Sequence, residues 1–133
     1  MYNRSGNAVF ALNYHLVIVV KYRKQVFTND RIISDLKQLV CDVANNHKVN
    51  IIAQECGVDH VHILFSCKPT CDITVFVNSL KGYTSRILRE RYNKELSSQL
   101  YGDAFWSPSY FLATAGNVSI DTLYSYINNQ RLE

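Results

Sequence analysis

Two histidines in the stretch GVDHVHILFS, residues 57–66, are the first candidates for chemistry. Side chains alternate along a strand, so His60 and His62 project from one face while the intervening apolar residues point to the other. Neutral imidazoles at this i, i+2 spacing can bind one divalent cation together. A half-exposed strand also carries polar residues that bind nothing, so a third ligand is needed to decide between these two interpretations.

A third ligand is available near the end of the sequence. Tyr126 and Gln130 stand four residues apart, so they share one flank of the helix predicted there, whereas Tyr124 belongs to the apolar stripe of that helix. If this flank lies over the histidine face, Gln130 can supply an oxygen ligand to the cation. The hydroxyl of Tyr126 would then point at the molecule that the cation has bound.

The chemistry that suits Tyr126 is attack on a phosphodiester. A phenol has a pKa of about 10 and is a poor nucleophile near neutral pH. A divalent cation makes a phosphodiester a better target, because it withdraws charge from the non-bridging oxygens and orients the ester for in-line attack. The product is a covalent phosphotyrosine, which conserves the energy of the broken bond for rejoining. These residues therefore indicate strand transfer rather than hydrolysis.

The elements that position these residues are predicted in the order β-α-β-β-α-β, followed by a further helix. Apolar and β-branched runs predict strands at residues 9–22, 49–55, 60–67 and 110–115. Helical spacing and capping residues predict helices at residues 30–46 and 73–92, and a last helix from Ser119 or Asp121 towards Arg131. This order predicts an α+β fold, a ferredoxin-like antiparallel sheet with both helices on one face. The other face, which carries the histidines, is expected to be uncovered.

Composition limits the classes of protein to which the chain can belong. With 133 residues, 47% of them hydrophobic, the sequence predicts one globular domain spanning residues 1–133. Its longest apolar run, residues 16–20, is far short of the roughly 18 residues of a membrane span, and no secretory signal is present. We therefore expect a cytoplasmic protein with no membrane partner. The net charge of +3 is compatible with a polyanionic partner without requiring one. The four cysteines are expected to be free thiols: Cys41, Cys56, Cys67 and Cys71.

Five motifs spread along the chain add a family resemblance. They are YHLVIVVKYR at residues 14–23, DHVHILFS at 59–66, NSLKGYTSR at 78–86, FWSPSYF at 105–111 and YINNQ at 126–130. Together they resemble the single-tyrosine HUH transposases, the TnpA type, of small bacterial and archaeal insertion sequences. The resemblance covers nearly the whole chain, and the set of motifs is far more specific than HVH alone.

The resemblance implies a ferredoxin-like or RRM-like core and a homodimer in which the tyrosine helix commonly completes the partner subunit's site. It implies a nuclease dependent on Mg²⁺ or Mn²⁺ that nicks and religates single-stranded DNA at the ends of its own element. By matching motif, His60, His62 and Gln130 are the implied metal ligands. Tyr126 is the implied nucleophile, which takes the 5′-phosphate and frees a 3′-hydroxyl. Gly116 and Asn117 stand where a hinge for the helix is expected.

Members of this family also recognise imperfect hairpins near the ends of the element. Basic residues at the tip of the first strand and on the second helix are the candidates for phosphate contacts, although a solvated helix face is an equal alternative. These candidates are Lys21, Arg23, Lys24, Lys81, Arg86 and Arg89. Aromatic residues of FWSPSYF could stack on unpaired bases, but we expect Trp106 and Phe111 in the core or the dimer interface.

Two other functions compete with this interpretation. A structural zinc site could use Cys56 with the two histidines, but Cys67 is expected on the opposite face of the strand, so one site cannot easily use both cysteines. An RNA-binding module with the same fold presents stacking aromatics on its central strands, whereas this strand presents His60 and His62. Binding alone also leaves Tyr126 and Gln130 without a role.

Overall fold

The computed structural model describes residues 12–100, 102, 104–117 and 125. The strands within this part are β1 (Leu12–Val19), β2 (Asn50–Cys56), β3 (His60–Cys67) and β4 (Phe111–Thr114). The helices are α1 (Asp30–Asn46), α2 (Ile73–Arg91) and α3 (Asn93–Leu100). The predicted α+β class and the order of its first six elements are confirmed. The last predicted helix, which carries Tyr126 and Gln130, lies outside the described residues apart from Ser125.

Helix α3 lies between the helix predicted at residues 73–92 and the strand predicted at residues 110–115, where the sequence analysis predicted no further element. In the eight residues of α3 only Leu96 and Leu100 are buried. Two apolar residues one turn apart give a weak periodic signal, and packing against the core decides the structure of such a short segment. None of the helices described combines the length and apolar character that a membrane span requires.

The described strands form one sheet in the order β2-β3-β1-β4, and each neighbouring pair is antiparallel. Strand β3 is therefore central, which places its side chains in the middle of both faces. Strand β1 pairs with β3 along its whole length, with Val17 opposite His62 and Val19 opposite His60. This register determines which residues of β1 lie beside the histidines.

One face of the sheet packs against helices α1 and α2. Val61, Ile63 and Phe65 of β3 are fully buried there, as the alternation along the strand predicts. Both helices begin where the sequence predicts them, and a side chain caps the start of each. The side chain of Asn29 accepts a hydrogen bond from the backbone of Arg31, and that of Asp72 accepts one from the backbone of Val75.

The opposite face carries His60 and His62, and the expectation that it is uncovered is wrong along β1. Val17 and Val19 lie on this face with relative exposures of 0% and 1%, and Phe111 of β4 packs against them. The physical reason is visible in the run LVIVV at residues 16–20, which is apolar at every position. Continuous apolar character is typical of a strand buried on both sides.

Candidate functional site

His60 is held by a buried carboxylate. Asp59 is 5% exposed, and its Oδ1 lies 2.8 Å from Nδ1 of His60. The backbone carbonyl of Asp59 accepts a hydrogen bond of 2.8 Å from the backbone N–H of Val20, which fixes the turn before β3. A carboxylate at Nδ1 accepts the proton of that nitrogen and leaves Nε2 with a lone pair. Proteins commonly orient metal-binding histidines in this way.

Asp59 is ionised at neutral pH, as this orienting role requires. Burial raises the pKa of Asp59, but the hydrogen bonds from His60 and Arg23 and the charge of Arg23 outweigh burial and hold that pKa below its ordinary value. The Nε of Arg23 lies 2.7 Å from Oδ2 of Asp59. The carboxylate of Asp59 therefore contacts the guanidinium of Arg23 with one oxygen and the imidazole of His60 with the other.

Arg23 reaches Asp59 because the chain turns sharply after β1. Tyr22 and Arg23 have φ angles of 60° and 54°, in the left-handed region that costs a non-glycine residue about 1–2 kcal/mol. The ion pair to Asp59 and a hydrogen bond of 2.8 Å from the backbone N–H of Arg23 to the carbonyl of Val20 hold this conformation. Arg23 therefore contacts Asp59 in this structure, and its predicted contact with DNA stays a prediction.

His62 lies between a carboxylate and a second imidazole. Glu55 of β2 is directly opposite His62 in the sheet, and its Oε1 lies 3.5 Å from Nδ1 of His62. Nε2 of His62 lies 2.8 Å from Nδ1 of His15 on β1. Burial, and next the neighbouring charge of His15, lower the pKa of His62. A neutral imidazole with a carboxylate at Nδ1 presents the lone pair of Nε2, which is the form that binds a cation.

Gly57 provides the space that the ring of His60 occupies. A Cβ at this position would lie 2.3 Å from Cε1 of His60, a distance that real contacts essentially never show. The backbone N–H of Gly57 also donates a hydrogen bond of 2.9 Å to the carbonyl of His60. In the sequence, Gly57 stands in the short connection between the strands predicted at residues 49–55 and 60–67. The structure adds that the histidine ring lies directly against it.

The structure brings His60 and His62 to one face, as predicted, but within the described residues they do not yet form a complete site. As the side chains stand in that part of the chain, no group of three or more His, Cys, Asp or Glu could hold a metal ion. Gln130 and Tyr126, the other two predicted site residues, lie outside it. The donor chemistry nevertheless fits a divalent cation, because a carboxylate oxygen lies 2.8 Å from Nδ1 of His60 and another lies 3.5 Å from Nδ1 of His62, and such a partner favours a lone pair at Nε2.

Sequence reasoning missed His15, Asp59 and Glu55 as parts of the site. A local signal existed for Asp59, since it directly precedes His60 in DHVH. The roles of His15 and Glu55 depend on which residues face His62 across the sheet, and this register is not visible in the sequence. The period of two along β1 places His15 on the same face as Val17 once the pairing is known.

Three of the predicted DNA-binding residues hold the protein's own backbone. Nζ of Lys24 donates to the carbonyl of Gln99 at 2.5 Å. Nζ of Lys81 donates to the carbonyl of Ser107 at 2.7 Å, and burial lowers the pKa of Lys81. Arg89 donates from Nη1 to the carbonyl of Leu100 at 3.1 Å. These contacts tie α2 and α3 to the loops around them.

The charged groups of the other two predicted DNA-binding residues contact side chains. Arg86 is exposed, with Nη1 3.7 Å from a carboxylate oxygen of Glu90 and its guanidinium over the ring of Tyr83. Lys21 is partly exposed, with Nζ 5.4 Å from the ring centroid of Tyr22. An exposed i, i+4 ion pair contributes little to stability, so Arg86 can exchange its partner at low cost.

The competing zinc interpretation finds no support in the cysteines. Cys67 packs in the core, on the face opposite His60 and His62, as expected. Burial raises the pKa of Cys56 to about 11 and, with a further contribution from Cys71, raises that of Cys67 to about 12. Zinc binds the thiolate, and these environments disfavour it. All four cysteines are free thiols, as predicted.

The structure also describes Trp106, predicted to be buried, and the predicted hinge residues Gly116 and Asn117. Trp106 is buried, as expected, and its Nε1 donates a hydrogen bond of 3.0 Å to Oγ1 of Thr84. Gly116 and Asn117 belong to the short 3-10 turn Ala115–Asn117, which directly follows β4. A Cβ on Gly116 would meet nothing within 4 Å. The turn stands between the sheet and the predicted tyrosine helix, and its role as a hinge stays a prediction.

Known proteins similar to this chain include transposases of insertion sequences. The family model described as "Transposase IS200 like" matches residues 8–130. The ISDra2 transposase TnpA of Deinococcus radiodurans is 35% identical over 122 residues, which cover 92% of this chain and 86% of the relative. The transposase for insertion sequence element IS200 of Salmonella typhimurium is 30% identical over 119 residues, which cover 88% of this chain and 75% of the relative.

Solved structures agree with these sequence matches. A crystal structure of a protein from Deinococcus radiodurans R1, assigned as a transposase, superposes with a TM-score of 0.86 at 31% identity and covers 100% of both chains. A REP-associated tyrosine transposase bound to a REP hairpin shares the fold alone, with a TM-score of 0.54 at 13% identity over 96% of this chain and 72% of the other. With a family match over residues 8–130 and relatives of at least 30% identity, this chain belongs to the IS200-like transposase family.

Proposed function

We propose that this chain nicks and religates single-stranded DNA at the ends of its insertion sequence through a covalent 5′-phosphotyrosine at Tyr126. A divalent cation, Mg²⁺ or Mn²⁺, would be held by His60, His62 and Gln130. One observation carries the proposal beyond the family: the two histidines share a sheet face, and each has a carboxylate at Nδ1 that leaves Nε2 for a cation.

The bound cation would polarise the scissile phosphodiester as a Lewis acid. The chain's own residues would orient the metal ligands and supply the nucleophile. Arg23 holds Asp59, and Asp59 fixes the tautomer and orientation of His60. The hydroxyl oxygen of Tyr126 forms a bond to phosphorus as the bond from phosphorus to the 3′-oxygen breaks, and the phenol proton passes to the leaving oxygen or to solvent. Attack by another 3′-hydroxyl reverses these changes and rejoins the strand.

The proposed partner is single-stranded DNA with a hairpin near each end of the element. The REP-associated transposase that shares the fold is bound to a REP hairpin, and we extend that class of ligand to this chain. Lys21 and Arg86 are the first candidates for its phosphates, because their charged groups contact side chains at the surface and can exchange these contacts for a phosphate. The remaining candidates would then act mainly by stabilising the loops and helices around this surface through their intramolecular contacts. They are Arg23, Lys24, Lys81 and Arg89.

The proposed assembly is a homodimer of a single 133-residue domain in the cytoplasm. The family resemblance supports a tyrosine helix that completes the partner subunit's site. The position of Gly116 and Asn117 directly after β4 supports a hinge there, since a short turn can redirect whatever follows it.

Formation of the covalent adduct tests the nucleophile. Single-stranded DNA from the ends of the element, with its hairpins, is incubated with Mn²⁺ and analysed on a denaturing gel. Tyr126→Phe should abolish the adduct and leave hairpin binding intact, because only the attacking oxygen is lost. Tyr124→Phe is the matched control. An adduct that persists in Tyr126→Phe and disappears in Tyr124→Phe would show that the other tyrosine is the nucleophile.

The metal and the shared site have separate tests. His62→Ala should remove Mn²⁺-dependent cleavage, and undiminished cleavage by the wild type in excess chelator would contradict the metal assignment. Mixed dimers of a Tyr126→Phe subunit with a His62→Ala subunit should recover part of the activity if the two chains share sites. No recovery in purified mixed dimers would mean that each chain completes its own site.

A further inference from the structure

His15 is a third imidazole on the histidine face, and neither the sequence motif nor the family assignment gives it a role. It lies on β1 two residues before Val17, which is the direct partner of His62. Its Nδ1 is 2.8 Å from Nε2 of His62, and the two rings have centroids 4.9 Å apart with planes tilted by 34°. The contact therefore joins His15 to the nitrogen that His62 would offer to a cation.

Two ring nitrogens 2.8 Å apart must have a proton or a cation between them, because two lone pairs at this distance repel each other. In the metal-free protein they share one proton, which one nitrogen donates and the other accepts. A neutral imidazole can carry its proton on either nitrogen, so His15 can move its proton to Nε2 and present a lone pair at Nδ1. The two lone pairs then point towards each other, and a turn of each ring directs both of them at a cation beside the line that joins the nitrogens. A cation can take the place of the shared proton without any change in the net charge of the two rings.

The separation of the nitrogens matches this exchange. Two ligands at right angles around one cation, each about 2.1 Å from it, lie about 3.0 Å apart. The observed distance between the nitrogens of His15 and His62 is 2.8 Å. The surroundings are also suitable, because Glu55 lies behind His62 and offers a compensating negative charge, while the fully buried Val17 excludes water from the sheet beneath.

We propose that His15 is an additional ligand of the cation in the proposed site, bound through Nδ1 beside Nε2 of His62. This inference rests on the proposed function, since it assumes that His62 binds a cation.

Binding of Mn²⁺ to the whole protein tests the inference without any measurement of activity. Free Mn²⁺ is followed by electron paramagnetic resonance during titration of the wild type, His15→Ala, His15→Phe and His62→Ala. His15→Phe keeps a planar ring and removes both nitrogens. Both His15 variants should bind Mn²⁺ at least about tenfold more weakly than the wild type. His47→Gln is the matched control and should bind normally, since His47 packs near Phe76 at the far end of α1.

The outcomes separate this inference from the proposed function. Absence of Mn²⁺ binding by the wild type would overturn both. Loss of binding in His62→Ala with unchanged binding in the His15 variants would overturn only the role of His15. Tighter binding in those variants would also overturn it, because His15 would then merely block His62. If neither His15 variant folds, the number of ¹⁵N-labelled histidines coupled to Mn²⁺ in the wild type decides: three imidazoles support the inference and two refute it.

Discussion

The carboxylate of Asp59 lies 2.8 Å from Nδ1 of His60 while its other oxygen lies 2.7 Å from Nε of Arg23. Replacing this carboxylate with an amide removes the charge that fixes the tautomer of His60. We therefore expect Asp59→Asn to weaken Mn²⁺ binding by about tenfold to a hundredfold. Titration calorimetry on the purified variant measures this change directly.

Asp42→Asn is the control for this substitution. Asp42 lies on α1, where its Oδ1 accepts a hydrogen bond from Nε2 of Gln38 at the surface, and its replacement should leave Mn²⁺ affinity unchanged. Equal affinities in Asp59→Asn and the wild type would show that His60 does not depend on its carboxylate partner.

Gly57 and Gly82 form a matched pair of glycine substitutions. In Gly57→Ala the new methyl group would lie 2.3 Å from Cε1 of His60, so the ring must move, and Mn²⁺ affinity should fall at least about tenfold. In Gly82→Ala, on α2, the methyl group meets nothing within 4 Å. This variant should be about 0.5–1 kcal/mol more stable to urea, with unchanged Mn²⁺ affinity, because alanine favours a helix. Normal metal binding by Gly57→Ala would mean that the ring has another position available.

Lys21 and Lys81 should respond differently to loss of charge. Lys21→Gln should weaken binding to a DNA hairpin and lower the magnitude of the salt slope by about 1, with little effect on stability. Lys81→Met removes the hydrogen bonds to the carbonyls of Ser107 and Pro108, and should lower the free energy of unfolding by about 1–2 kcal/mol. Binding as a function of salt and urea denaturation measure the two effects. A reduced salt slope in Lys81→Met with unaltered stability would show that Lys81 contacts DNA phosphates and does not stabilise the fold.

The partly buried thiol of Cys56 and the buried thiol of Cys67 should resist alkylation in the folded protein. Burial raises the pKa of Cys56 to about 11 and that of Cys67 to about 12, so almost none of the reactive thiolate is present at pH 8. Mass spectrometry after brief treatment with iodoacetamide at pH 8 should find both residues unmodified, and both modified in urea. The reaction at Cys56 should accelerate as the pH approaches 11. Rapid modification of the native protein at pH 8 would contradict these environments.

Features that depend on local periodicity were predictable from the sequence. The alternation in HVHILF placed Val61, Ile63 and Phe65 in the core and the two histidines on the other face. The capping residues of α1 and α2 were also predictable, because a side chain that caps a helix acts within three residues of itself.

Features that depend on contacts between distant segments were not predictable. The pair His15 and His62 is separated by 47 residues and meets only through the register of β1 with β3. Lys24 and Arg89 look like solvated cations in the sequence, but their long side chains reach backbone carbonyls that α3 brings close. A single sequence contains no information about which carbonyl lies within reach of which ammonium group.

The order of the strands also determines when, during synthesis, the histidine face of the sheet can complete its packing. Strand β1 pairs along one edge with β3, which is already complete halfway along the chain. Along its other edge it pairs with β4, where Thr114 is the partner of the distant Tyr14. Contacts between such distant segments form late, because closing a long loop costs entropy before the contact contributes. During synthesis, Val17 and Val19 therefore stay without Phe111 until nearly all of the chain has left the ribosome. An interrupted translation product would carry both histidines but leave Val17 and Val19 without Phe111, so the packing of this part of the histidine face depends on β4.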